Sequence, residues 1–144
     1  MAIPLHDNYL YAYQVDHDSQ LIILHTMFMD SEPYEYTDVS FTDVGLHLFE
    51  EECMTLDQYS SNILFDIEEQ DPVFVLKRYA SLLHSKRNYG WPPCKYRSIK
   101  ELARILTANG RRCFLIEASS GLCGFVFAGD MKVNSRESKW EIVT

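Results

Sequence analysis

The hydrophobic pattern changes its period at Asp71-Pro72, and this change limits the possible folds more than any other feature of the sequence. Before it, apolar and polar residues alternate, as in Tyr9–Asp16, which predicts strands with one buried face. After it, apolar residues recur at the spacing of a helix, at Val73, Leu76, Ala80 and Leu83. Strands followed by helices predict an α+β fold, in which helices pack on a largely antiparallel sheet.

The first half of the chain is predicted to form an antiparallel meander of five strands. Polar turns at residues 17–20 and 30–33 separate the first three strands, and aromatic and β-branched residues within the strands favour extended backbone. The segment Cys53–Ser61 is a predicted loop. The predicted strands cover residues 9–16, 21–28, 36–41, 46–51 and 62–68.

Two helices are predicted after the strands, each with a recognisable start. Asp71 is a capping residue and Pro72 occupies the first helical position, where a missing N–H does no harm, so a helix begins there and ends before Asn88. Ser98 and Glu101 have the spacing of a capping box, which opens a second helix ending near Ala108.

A hairpin and a polar tail are predicted to complete the domain. Cys113–Ala118 and Leu122–Phe127 are apolar strands around a short Ser-Ser-Gly turn. Residues 132–144 are mostly polar, which favours a flexible tail; alternatively, Trp140, Ile142 and Val143 form a short terminal strand or dock on the body of the domain. Since the sequence contains neither a repeat nor a long linker, residues 1–144 are predicted to form a single domain.

Charge is divided unevenly between the two halves. Residues 1–76 contain 16 Asp and Glu and no Lys or Arg, whereas residues 77–144 contain all 13 Lys and Arg with 5 Asp and Glu. The halves carry −16 and +8, which leaves the net charge of −8. That net charge argues against a protein that binds nucleic acid through its phosphates. Two interpretations stay open: the halves neutralise each other, or the acidic half meets a basic partner.

The sequence predicts a cytoplasmic protein that needs no cofactor and no metal. The N-terminus resembles no secretory signal, and no apolar run reaches the 18 or so residues of a membrane span. Four cysteines occur without a C-x-x-C pair, which favours free thiols in a reducing compartment.

Two groups of acidic residues are the candidate partner-binding residues, and no catalytic residue is predicted. Such acids also occur simply as the solvated face of an edge strand. A hydrolase that binds a divalent cation through Asp66, Glu68 and either His25 or His47 is an alternative, although the histidines lack metal-site spacing. The candidate residues are Glu50, Glu51, Glu52, Asp66, Glu68 and Glu69.

Three segments resemble a group of small bacterial proteins similar to immunity proteins of polymorphic and contact-dependent toxin systems. They are Leu21–Thr26 (LIILHT), Phe41–Val44 (FTDV) and Asn62–Glu69 (NILFDIEE), with Tyr89-Gly90-Trp91-Pro92 further on. The resemblance implies a protein that binds and neutralises a cognate toxin domain, and the acidic surface suits a basic nuclease. A housekeeping protein with no toxin partner is the alternative.

Overall fold

A computed structural model describes residues 5–52, 63–118 and 121–142. Within these residues the chain forms eight strands and three helices, which confirms the predicted α+β fold with antiparallel strands. In chain order they are β1 (Tyr9–Asp16), β2 (Leu21–Phe28), β3 (Glu35–Thr42), β4 (Leu46–Glu52), β5 (Leu64–Gln70), α1 (Pro72–Arg78), α2 (Ala80–Arg87), α3 (Ile99–Thr107), β6 (Arg112–Ala118), β7 (Gly121–Ala128) and β8 (Asp130–Arg136).

The strands form two sheets, so the predicted single meander is divided between them. The first sheet has the order β1-β2-β3-β8 and the second has the order β4-β7-β6-β5. The meander holds for β1, β2 and β3, whereas β4 pairs with β7 and β5 pairs with β6. The alternating pattern shows which face of a strand is buried. It does not show which strand lies beside it, because strand pairing depends on contacts between residues that are far apart in sequence.

The molecule has three layers, with the second sheet in the middle. Leu24 and Phe41 of the first sheet share one buried cluster with Ile116 and Val126 of the second. Phe125 and other residues on the opposite face of the second sheet share another cluster with the helices. The second sheet is thus buried on both faces, which explains why β6 and β7 are apolar runs rather than alternating segments. Each fully buried Leu or Phe contributes about 1.5–3 kcal/mol by leaving water.

Both predicted helix starts are confirmed by capping hydrogen bonds. The Asp71 carboxylate accepts from the Phe74 N–H at 3.1 Å, and the Ser98 hydroxyl accepts from the Glu101 N–H at 3.2 Å. The first predicted helix is interrupted at Tyr79, where α1 ends and α2 begins. No helix in the described ranges is long and apolar enough to cross a membrane.

Residues 130–136 form strand β8, whereas the polar composition predicts a flexible tail from residue 132 onward. Met131 and Val133 alternate with polar residues and pack against the core between the two sheets. This strand covers the outer edge of β3 and brings residues near the C-terminus next to the acidic half of the chain.

Candidate functional site

Four acidic side chains lie on the helix-facing side of the second sheet, and we call them the carboxylate row. Glu50 follows Leu48 by two residues and therefore shares its face, which packs toward the helices. Asp66 lies directly opposite Glu117, and Glu68 lies directly opposite the buried Leu115. Residues paired in this way point to the same side of a sheet, so strand pairing places Asp66, Glu68 and Glu117 together. Glu50 points to the same side but lies on β4, the edge strand that β7 and β6 separate from β5. The carboxylate row consists of Glu50, Asp66, Glu68 and Glu117.

Asp66 and Glu68 are close enough to affect each other's ionisation. The pKa of the Glu68 carboxyl is raised, first by a hydrogen bond with Asp66 and then by the negative charge of Asp66. The Gln70 amide donates to Glu68 Oε2 at 2.9 Å, which lowers the same pKa in part. A cation placed between the two carboxylates would remove this repulsion.

Arg78 and Tyr79 connect the carboxylate row to the helices. Arg78 donates to Glu117 Oε1 at 2.9 Å, and this bond raises the pKa of the guanidinium. Burial raises the pKa of the Tyr79 hydroxyl, and Arg78 partly offsets this. The negative charges of Glu50 and Glu117 raise the pKa of the Tyr79 hydroxyl further. Both acids therefore lie near Tyr79, although Glu50 comes from β4 and Glu117 from β6.

A cavity of about 170 Å³ opens at the β5–β6 end of the row. Asp66, Glu68 and Glu117 line it, and Leu115 supplies an apolar wall. A long side chain with an apolar stem and a cationic end suits such a lining, because the stem can bury against Leu115 while the charge meets carboxylates. Lysine and arginine are the side chains with this construction.

Of the six predicted partner-binding residues, the structure brings Asp66 and Glu68 together, whereas Glu50 shares their face but lies at the other edge of the sheet. Glu69 lies on the opposite face of β5, where Arg112 donates to its carboxylate at 2.9 Å. Glu51 and Glu52 belong to β4, but their side chains lie outside the described part of the structure. Glu117 was missed because it comes from the basic half, and only strand pairing places it beside Asp66.

Part of the charge imbalance is neutralised inside the molecule. Three ion pairs join acids of residues 1–76 to arginines of residues 77–144, at 2.9–3.0 Å. The acids in these pairs are Asp38, Asp43 and Glu69. Internal neutralisation involves both faces of the β5–β6 pair, because Arg112 pairs with Glu69 on one face and Arg78 pairs with Glu117 on the face that carries Asp66 and Glu68.

The two histidines considered for a metal site lie away from Asp66 and Glu68. His25 is on β2, on the outer face of the first sheet, and is paired with Asp38. His47 is on β4 opposite Val126, so it faces the first sheet rather than the helices. Among the described residues, no three His, Cys, Asp or Glu side chains are grouped to hold a metal ion.

His25 is the centre of a second polar group, which we call the His25 cluster: Gln14, His25, Asp38, Arg136 and Trp140. His25 Nδ1 lies 2.8 Å from Asp38 Oδ1, and Gln14 Nε2 lies 2.8 Å from His25 Nε2. A carboxylate only accepts and an amide NH₂ only donates, so Nδ1 carries the proton and Nε2 accepts. Arg136 donates to the other oxygen of Asp38 at 2.9 Å.

Trp140 covers the His25 ring and separates it from solvent. The two ring centroids are 4.2 Å apart and the planes differ by 5°, so the rings are stacked. The Trp140 backbone N–H donates to the Tyr11 hydroxyl at 2.8 Å, which holds the segment after β8 in place. His25 is 1% exposed and its two ring nitrogens are satisfied. The His25 cluster therefore stabilises the fold and presents no reactive group.

The fold and the carboxylate row define an acidic α+β protein of two antiparallel sheets and one helical layer. Neither a protein-family model nor a curated protein matches the sequence.

Proposed function

We propose that the protein is an immunity protein, which binds a cognate bacterial toxin domain in the cytoplasm through the carboxylate row. The observation that carries the proposal is the grouping of Asp66, Glu68 and Glu117 around one cavity, with Asp66 close enough to raise the pKa of Glu68. Like charges held together cost free energy in the unbound protein. A basic partner recovers that free energy on binding.

A basic nuclease suits this surface because its active-site cleft is built to attract phosphates. Asp66 and Glu117 lie on neighbouring strands, about 4.8 Å apart, and Glu50 lies on the same face two strands beyond Glu117, about 10 Å away. The sheet is a rigid support for these negative charges. A negative surface facing a positive cleft increases the association rate and selects against acidic competitors. The resemblance to immunity proteins supports the same assignment.

The ionisation of Glu68 gives the proposal a specific pH dependence. The pKa of the Glu68 carboxyl is raised in the folded protein, because folding favours its protonated form. Glu68 therefore stabilises the folded state at low pH, and this stabilisation is lost as pH rises through the pKa of Glu68 in the folded protein. A bound cation favours the ionised carboxylate and so has the opposite effect. Affinity for a basic partner is therefore expected to increase as pH rises through the pKa of Glu68.

Co-expression tests the proposal if a large secreted protein with a variable C-terminal domain is encoded beside this chain. The C-terminal domain of a large secreted protein encoded beside this chain would be expressed with the wild type and with a triple variant. The triple variant is Glu50→Gln, Asp66→Asn, Glu68→Gln, which removes three charges and keeps side-chain shape. Asp66→Asn also keeps an oxygen to accept from the Ile67 N–H, a bond of 2.8 Å in the wild type.

A matched control removes three charges from another surface. Asp30, Glu32 and Glu35 are exposed acids at the β2–β3 connection, and their amide variants change the net charge equally. The wild type and the control are expected to rescue growth, whereas the triple variant is expected to lose rescue while staying folded. Rescue by all three proteins would argue against the carboxylate row. No rescue by the wild type would favour the housekeeping alternative.

A further inference from the structure

The segment from α2 to α3 carries positive charge that the described ion pairs do not use. Residues 80–104 contain six Lys and Arg and one acid, Glu101. The described arginine ion pairs involve Arg78, Arg111, Arg112 and Arg136 instead. All six side chains are exposed, which makes a positive surface on an otherwise acidic protein. They are Lys86, Arg87, Lys95, Arg97, Lys100 and Arg104.

A cavity of about 390 Å³ lies within this surface, between the end of α2 and the segment that follows. This volume falls in the range of pockets that bind small organic molecules, about 300–1,000 Å³. Its walls combine two cations with apolar groups, whereas the cavity beside Asp66 is lined mainly by acids. The lining residues are Arg87, Gly90, Pro92, Pro93, Cys94 and Lys95.

Arg87 is fixed in position at this cavity before any ligand arrives. Its guanidinium lies 4.6 Å from the centre of the buried Tyr96 ring and donates to the Tyr96 carbonyl oxygen. A guanidinium has five N–H donors, so one bond to a carbonyl leaves donors that an anion can accept from. The planar fork of arginine matches the oxygens of a phosphate, and Lys95 adds a second positive charge.

The apolar parts of the site suit a flat ring. Pro92 and Pro93 are apolar lining residues. Tyr89 is not a lining residue, but it directly precedes the lining residue Gly90 in sequence and is 89% exposed, which is unusual for an aromatic side chain. Gly90 has φ +76° and a Cβ added there would meet nothing within 4 Å, so the turn leaves open space beside the cavity. Aromatic side chains next to Arg and Lys are the groups that bind the base and the phosphate of a nucleotide.

We propose that this cavity binds a nucleoside monophosphate, with the phosphate at Arg87 and Lys95 and the base against Pro93 and Tyr89. The ligand is either a free nucleotide or one nucleotide of a single strand, since both present the same chemistry. The net charge of −8 opposes a long polyanion, but not a single phosphate at a locally positive site. The proposal is independent of the carboxylate row, which lies on β4, β5 and β6.

Isothermal titration calorimetry of the full chain with 5′-AMP, inorganic phosphate and a five-nucleotide single-stranded RNA tests the proposal. Lys95→Gln removes a cation and Tyr89→Ala removes an exposed ring, so neither change disturbs the core. Each is expected to weaken 5′-AMP binding about tenfold, the effect of one lost charged hydrogen bond or one lost stacking contact. The matched control, Lys77→Gln with Lys132→Gln, removes two exposed cations elsewhere and is expected to change affinity less than twofold.

Inorganic phosphate is expected to bind at least tenfold more weakly than 5′-AMP, because it has no ring. Tighter binding of the RNA than of 5′-AMP would identify a strand as the ligand, and weaker binding of the RNA would identify the free nucleotide. The proposal is overturned if 5′-AMP gives no binding heat, or if Tyr89→Ala leaves its affinity unchanged. Equal weakening by the control variant would also overturn it, since binding would then depend on overall charge.

Discussion

Replacing Asp38 with alanine is expected to destabilise the protein strongly, because Asp38 holds the His25 cluster together. In the native protein, its two oxygens accept from His25 Nδ1 at 2.8 Å and from Arg136 at 2.9 Å. His25 is 1% exposed, so its N–H would lose its partner without gaining water. An unsatisfied buried donor costs about 1–3 kcal/mol.

Losing the Arg136–Asp38 ion pair costs less free energy of unfolding, because the Arg136 side chain is 36% exposed. Water can solvate its charge, so the missing ion pair adds about 0–1 kcal/mol. The free energy of unfolding should therefore fall by about 1–4 kcal/mol in Asp38→Ala. Asp38→Asn keeps one oxygen for one of the two donors and is expected to lose less.

Urea unfolding followed by far-ultraviolet circular dichroism measures this effect. For a urea slope of about 2 kcal/mol per molar, the midpoint of Asp38→Ala should fall by about 0.5–2 M. Glu35→Ala is the control on the same strand, since Glu35 is exposed, and it should change stability by less than about 0.5 kcal/mol. If Asp38→Ala also stayed within about 0.5 kcal/mol of the wild type, the His25 cluster would not stabilise the fold as argued.

Three further predictions follow from local geometry. Gly124→Ala should prevent recovery of folded protein, because a Cβ at this position would lie 1.8 Å from the Leu48 carbonyl oxygen of β4; a soluble variant with a wild-type melting temperature would contradict this. Ser98→Ala should lower the free energy of unfolding by about 1 kcal/mol in urea, since the Glu101 N–H loses its cap, and an unchanged midpoint would refute the cap's role. Burial raises the pKa of the Cys113 thiol to about 12, so iodoacetamide at pH 8 should modify Cys113 only after unfolding; mass spectrometry showing rapid modification of the native protein would disagree.

Local features of the fold could be predicted from the sequence because neighbouring residues determine them. The caps at Asp71 and Ser98 depend on residues three positions away, and the strand period is visible within eight residues. Strand β8 could also have been found, since Met131 and Val133 alternate with polar residues. Its polar composition led to the prediction of a tail, although an edge strand commonly has this composition.

The arrangement of the sheets and of the candidate site could not be predicted in this way. Arg136 reaches Asp38 across 98 residues, and Glu117 meets Asp66 only because β5 pairs with β6 beyond three helices. The sequence indicated Asp66 and Glu68 correctly as neighbours on one face of a strand. It could not indicate that Glu69, on the other face, would be paired with Arg112.

The most direct test of toxin binding is isothermal titration calorimetry, at low and high salt, of this chain with the C-terminal domain of a large secreted protein encoded beside it. The variant with Glu50→Gln, Asp66→Asn and Glu68→Gln is expected to bind at least about a hundredfold more weakly, since about 1 kcal/mol is lost for each charged contact. It should also show a weaker dependence on salt than the wild type. Binding within threefold of the wild type, with the same salt dependence, would contradict the assignment of the carboxylate row as the toxin-binding surface.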